Sequence, residues 1–232
     1  METLTELFHQ LRELLNPKII IETLLAKGGI FVYFGLIFIV FAETGLAVGF
    51  FLPGDSLLVV AGLFAAAGKL NLAILLSTLF LAAVVGDAVG YFTGFRLGPR
   101  LFKKQKSLLF RPSHLQKAHA FYEKYGGKTI VIARFVPIVR TFAPLVAGAA
   151  QMPYRRFVVF NVAGGFLWVS SMLLSGYFLG SLLKSRFGID LDEHIEWVVI
   201  VVVLLSLMPP FIEFMKSRRE KARATRATNA EV

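Results

Sequence analysis

TIVIARFVPIVRTFAPLVAGAAQM, residues 129–152, is apolar and long enough to enter a bilayer, yet it carries Arg134 and Arg140 and is interrupted by Pro137 and Pro144. Its flanks decide how it enters. The preceding segment, 96–128, is strongly basic with Glu123 as its one acid, and Tyr154-Arg155-Arg156 follows. Basic flanks stay on the cytoplasmic side. The stretch therefore begins and ends on one side, and is predicted to dip in and return as a re-entrant hairpin. Pro137 and Pro144 each remove a backbone donor and interrupt a helix. Irregular backbone at that depth is tolerated only where protein or water covers it.

Working outward, residues 157–183 are uncharged and long enough to span. Residues 184–196 hold more acids than bases and read as an external loop; 197–214 return as the last transmembrane helix, and 215–232 form a basic cytoplasmic tail. Upstream, 70–95 spans from outside to Arg96, with Asp87 inside it. Pro53-Gly54-Asp55 parts two apolar runs, the second too short to cross alone. That predicts another re-entrant hairpin at about 44–68, entered from outside, with residues 30–42 carrying the chain outward. In residues 1–28, Leu4, Leu7, Phe8, Leu11, Leu14 and Leu15 recur at helical spacing among acids. They read as an amphipathic helix on the membrane surface, without the basic lead or cleavage site of a signal peptide. The expected fold is an all-α polytopic membrane protein.

Composition excludes other classes. The chain is 56% apolar, in blocks rather than a 3.6-residue stripe, which a soluble domain would not tolerate. The absence of cysteine removes disulfides, thiolate metal sites and cysteine nucleophiles. His9, His114, His119 and His194 lie outside the apolar blocks without paired ligand spacing, so neither metal nor cofactor is expected. The net charge of +10 sits in 96–128 and Lys216–Arg226, beside the spans. That is the positive-inside pattern, and it argues against nucleic acid as a partner.

The chain also matches itself. Gly90-Tyr91-Phe92-Thr93-Gly94 resembles Gly176-Tyr177-Phe178-Leu179-Gly180, and Ala61-Gly62 matches Ala147-Gly148 at the same offset. Phe51-Leu52-Pro53 aligns with Phe135-Val136-Pro137 after a small shift. Each unit is a hairpin followed by a spanning helix, one entered from outside and one from inside. Such an inverted repeat with broken segments is a transporter pattern; chance likeness among Gly- and Phe-rich helices is the competing account. Gly86, Gly90, Gly94 and Gly98 form one smooth helix face for close packing.

Glu43, Asp55, Asp87, Arg134 and Arg140 lie inside apolar stretches, and Arg96 at the end of one. At a helix centre such a residue costs about 2.5–3.5 kcal/mol on insertion scales, and is kept when it pairs, lines a wet cavity or handles a charged substrate. Glu43 and Asp55 fall early and the two arginines late, which predicts a polar pocket at mid-membrane built from two parts of the chain. Arginine binds two phosphate oxygens at once and stays charged. Arg134 and Arg140 would diverge on an unbroken helix; Pro137 between them lets both face one cavity. Broken-helix ends add free N–H groups for anions. Burial and a neighbouring arginine act in opposite directions on a carboxyl, so Glu43 and Asp55 are expected to exchange between ion-paired and protonated states as phosphate comes and goes. The competing account is a set of buried pairs that only fixes the hairpins together. Asp87, Pro53, Gly54 and Pro137 are supporting residues, Arg96 an interfacial anchor, and Asn161 and Trp168 are expected to be packing or interface residues.

Taken as a string, Glu43 with Gly45, Phe51-Leu52-Pro53-Gly54-Asp55-Ser56-Leu57-Leu58, Gly86-Asp87 with Gly90-Tyr91, Ala133-Arg134-Phe135-Val136-Pro137, Arg140-Thr141, Ala147-Gly148, Phe160-Asn161 and Gly165 with Trp168 resemble the DedA family, the bacterial branch of the VTT or "SNARE-associated" domain proteins. The likeness covers about residues 30–183. It implies an inner-membrane protein with two re-entrant hairpins and a role in envelope homeostasis. It further implies return of undecaprenyl phosphate, or another phospholipid, across the membrane, in dependence on the proton-motive force. The family's functional acids match Glu43 and Asp55, and its functional arginines match Arg134 and Arg140. The expected function is a lipid transporter or flippase, with a lipid phosphate as substrate, protons as the coupling partner, and oligomerisation compatible with the sequence. A passive scramblase and a non-transport envelope assembly factor are the alternatives. An enzyme such as a lipid-phosphate phosphatase is not expected, since that chemistry usually needs a histidine nucleophile or a metal near the membrane.

Overall fold

The computed structural model describes residues 16–46, 54–101 and 126–187. The amphipathic helix, Pro53, most of the basic segment, the external loop, the last transmembrane helix and the tail lie outside the described residues. Among those described there are seven helices and no strand: α1 (Pro17–Ala26), α2 (Gly29–Gly45), α3 (Gly54–Ala66), α4 (Leu72–Leu101), α5 (Lys128–Ala133), α6 (Pro137–Ala149) and α7 (Tyr154–Phe187).

Two of them, Leu72–Leu97 of α4 and Tyr154–Arg186 of α7, are long and apolar enough to cross a bilayer. At about 1.5 Å per residue each exceeds the roughly 30 Å hydrocarbon core. Their outward faces suit lipid: Leu81, Val85, Phe92 and Phe95 on α4, and Val159, Phe166 and Phe178 on α7, are exposed. Phe31, Phe34 and Phe38 give α2 a similar face.

Helix α3 is the opposite case. Every residue from Ser56 to Ala65 is buried, so this short helix is enclosed on all sides. Leu57, Leu58, Val60, Leu63 and Phe64 pack with Val32, Leu36 and Val40 of α2, Leu75 and Leu79 of α4, and Trp168, Val169 and Leu173 of α7. A second cluster joins Tyr91, Ile130, Ala147, Ala150, Met152 and Phe157. There the Tyr91 hydroxyl donates to the Met152 carbonyl, and its ring stacks on Phe157 at 4.6 Å between centroids.

The main crossings run between α3 and α7 and between α4 and α6. Both are backbone-to-backbone at glycine. A Cβ on Gly62 would lie 2.2 Å from the Leu173 carbonyl oxygen, and one on Gly176 1.9 Å from that of Val59. At the other crossing, a Cβ on Gly148 would lie 2.0 Å from the Tyr91 oxygen and one on Gly94 1.9 Å from that of Leu145. Small residues permit this approach, and van der Waals packing then holds the helices.

The helical breaks fall at particular residues. Helix α2 runs through Gly45 and α3 starts at Gly54, so the first break follows Glu43 and precedes Asp55. Helix α2 thus continues three residues past the outward run expected at 30–42, into the start of the hairpin expected from about 44. In the second half α5 ends at Ala133, Val136 is extended, and α6 begins with Pro137 in its first turn. Proline is tolerated there because the first-turn N–H has no helical acceptor. Pro144, expected to break the helix, lies inside α6 and packs against Gly90.

Candidate functional site

Glu43 sits in the last turn of α2 and Asp55 in the first turn of α3, where a carboxylate is favoured by the helix dipole. Arg134 follows the end of α5 and Arg140 lies in the first turn of α6. The two breaks thus carry two acids and two bases, and tertiary packing brings them together.

Arg140 is the hub. Its Nη1 donates to Asp55 Oδ1 and its Nη2 to Glu43 Oε1, so one guanidinium bridges both flanks of the first break. Glu43 is buried, 1% exposed, whereas Asp55 is 29% exposed. The Glu43 carboxylate lies directly on the backbone of Gly54: a Cβ there would fall 1.4 Å from Glu43 Oε2. A side chain at position 54 would therefore displace the Glu43 carboxylate.

Arg134 has different partners. Its Nη2 donates to Asp87 Oδ2 and to Asn161 Oδ1. Asn161 is anchored in turn, its Nδ2 donating to the Val84 carbonyl at 3.0 Å. The Arg134 stem runs across Gly164 and Gly165 of α7, whose added Cβ atoms would meet Arg134 Cδ at 3.1 Å and Nη2 at 3.5 Å. Asp87, Arg134 and Asn161 are all buried. Both arginines are expected from the sequence to share one pocket with Glu43 and Asp55; the contacts divide them, Arg140 with Glu43 and Asp55, Arg134 with Asp87.

Trp168 joins the two groups. Its Nε1 donates to Asp55 Oδ1 at 2.8 Å. The guanidinium carbon of Arg140 lies 4.8 Å from its ring centroid and that of Arg134 5.9 Å, both within cation–π range. Trp168 and Asn161, expected to be packing or interface residues, bond directly to charged groups. A signal was available: Asn161 is the lone amide and Trp168 the lone indole of the uncharged 157–183 span. Arg96 is exposed toward the far end of α4. Pro137 supplies the first turn that carries Arg140.

In sum, two guanidiniums face three carboxylates near the midpoints of α4 and α7. The cluster is ion-paired yet not fully satisfied, since Arg134 Nε and Arg140 Nε are buried without a hydrogen-bond partner among the described residues. Such leftover donors call for an explanation in a buried network. Among the described residues no group of three or more His, Cys, Asp or Glu side chains is placed to hold a metal.

The VTT domain family model matches residues 52–178. "Protein DedA" of Escherichia coli (strain K12) is 43% identical over 215 residues, 92% of this chain and 95% of that protein. A membrane protein of Mycobacterium leprae (strain TN) is 38% identical over 189 residues, 82% of each chain. "Inner membrane protein YqjA" of Escherichia coli (strain K12) is 38% identical over 186 residues, 78% of this chain and 80% of that one. No solved structure matches the chain. With its VTT domain and these relatives across most of its length, the chain is a membrane protein that belongs to the DedA family.

Proposed function

We propose that this protein carries a lipid phosphate, undecaprenyl phosphate or a related phospholipid, across the bacterial inner membrane in support of envelope homeostasis. In this reading the two broken segments are re-entrant hairpins, entered from opposite sides, and segment 96–128 and the C-terminus are cytoplasmic. Glu43, Asp55, Arg134 and Arg140 form the transport site, with Asp87 in support. No chemistry is performed on the lipid.

The observation that carries the reading is the convergence of Arg140 with Glu43 and Asp55, residues from the two separate breaks, at the middle of the bundle. The matched crossings support an inverted repeat. Gly62 meets Leu173 and Tyr177 as Gly148 meets Tyr91 and Phe95, and Gly176 meets Val59 as Gly94 meets Leu145. The sequence likeness aligned Gly90 with Gly176, one helical turn away from Gly94. Each hairpin helix packs on the spanning helix of the other unit, which suits rocking of one unit against the other.

Charge balance favours proton coupling. Three carboxylates against two guanidiniums leave one uncompensated negative charge when all are ionised, and an arriving phosphate adds more. A proton entering with the phosphate offsets that charge, which is expensive to leave unpaired away from water. The test is reconstitution with labelled undecaprenyl phosphate beside competing phospholipids, with and without an imposed pH gradient. Uptake selective for the lipid phosphate and accelerated by the gradient is expected. Gradient-independent movement of several lipids would instead identify a passive scramblase, and no lipid movement at all an assembly factor.

A further inference from the structure

We infer that the anion-receiving position of this site is formed by Arg140 together with the indole N–H of Trp168, that Asp55 fills it at rest as a stand-in for the phosphate, and that Arg134 is a fixed strut rather than a second ligand. The inference rests on the reading of the chain as a lipid-phosphate carrier and assigns roles within that site.

The two arginines differ in what surrounds them. Both carboxyl and amide partners of Arg134 are buried, Asn161 is tied to the Val84 carbonyl, and Gly164 and Gly165 lie against the Arg134 stem and guanidinium. Nothing around Arg134 is free to leave. Arg140 has one enclosed partner, Glu43, and one that is 29% exposed, Asp55. The exposed partner is the displaceable one.

The geometry around Asp55 is that of an occupied oxyanion site. A single carboxylate oxygen, Oδ1, accepts from Arg140 Nη1 and from Trp168 Nε1. When Asp55 swings away, these two donors still converge on one point. Arg140 stays oriented because its Nη2 remains bonded to Glu43 and its guanidinium remains over the Trp168 ring. A phosphate monoester offers several acceptor oxygens, whereas a carboxylate on a short Asp stem offers two. Phosphate therefore competes with Asp55 for donors that are already in place, and the tryptophan adds a neutral donor that contributes directionality without further charge.

The full chain in phosphatidylcholine nanodiscs is titrated calorimetrically with farnesyl phosphate, farnesol and inorganic phosphate. Wild type is expected to bind farnesyl phosphate and not farnesol. Weaker binding of inorganic phosphate than of farnesyl phosphate is expected for a lipid headgroup site; equal binding keeps the Arg140–Trp168 site and assigns it to free phosphate. Asp55→Ala should tighten farnesyl phosphate binding by about tenfold, because the internal competitor is gone. Trp168→Phe, which keeps the aromatic ring beneath Arg140 and removes only the N–H, should weaken it by about tenfold. Gel filtration and melting curves check that both variants are folded, and the Asp55→Ala arm stands alone should Trp168→Phe fail to fold. Wild-type affinity in both variants would overturn the inference while leaving the carrier reading intact. Absence of phosphate binding by wild type and Asp55→Ala alike would overturn both.

Discussion

At the scale of single residues, burial decides what a substitution does. Asp87 and Arg134 are each 4% exposed on the side chain, so removing one partner strands the other's charge. Asp87→Leu is expected to destabilise the protein by about 3–5 kcal/mol, the usual cost of breaking a buried pair, read as a lowered melting temperature in detergent. Arg140→Lys is a different test. One ammonium lacks the fork that reaches Glu43 and Asp55 together, so transport is expected to fall by at least roughly tenfold, equivalent to about 1.4 kcal/mol, with a smaller loss of stability. The candidate residues were legible in the sequence because charge inside apolar stretches is conspicuous. Their pairing was not, since Arg134 and Asp87 are brought together only by the packing of α5 and α4 around α7. Asn161 and Trp168 are uncharged and so raised no comparable alarm.

At the scale of helices, the glycines set how closely the elements approach. Gly62→Ala and Gly148→Ala would each drive a Cβ into a neighbouring carbonyl oxygen, at 2.2 and 2.0 Å. Backbone cannot yield as a side-chain tip can, and a loss of about 1–3 kcal/mol is expected, as for overpacking elsewhere. Gly29→Ala is the control: nothing lies within 4 Å of its added Cβ, and unchanged or slightly higher thermal stability is expected. Gly54→Ala belongs between these. Its Cβ would displace the Glu43 carboxylate, so loss of transport in a folded protein is the expected outcome, measured by the vesicle assay. The glycine face of α4 was readable from its four-residue recurrence. Which helix it met was not, because recurrence fixes a face and leaves the partner open.

At the scale of the whole molecule, the orientation of the bundle is open to a direct check. Lys69 precedes α4, and Arg155 starts α7 beside Tyr154, whose ring packs on Tyr91 and Phe92 well along α4. Some nineteen residues of helix separate those levels, about 28 Å at 1.5 Å per residue, so Lys69 and Arg155 lie close to one hydrocarbon thickness apart along α4. The chain has no native cysteine, which makes Lys69→Cys and Arg155→Cys clean single probes. A membrane-impermeant maleimide should label the first in intact cells and the second only after permeabilisation; the reverse pattern would invert the assigned topology. The sequence alone determined that this is a helical membrane protein with ionic groups at two broken segments, because a bilayer enforces apolar length and makes every buried charge stand out. Only the tertiary structure decided which acid meets which arginine, that Trp168 lies beneath both guanidiniums, and that α3 crosses α7 while α6 crosses α4. Those choices depend on contacts between distant residues, and composition and local periodicity carry no information about such distances.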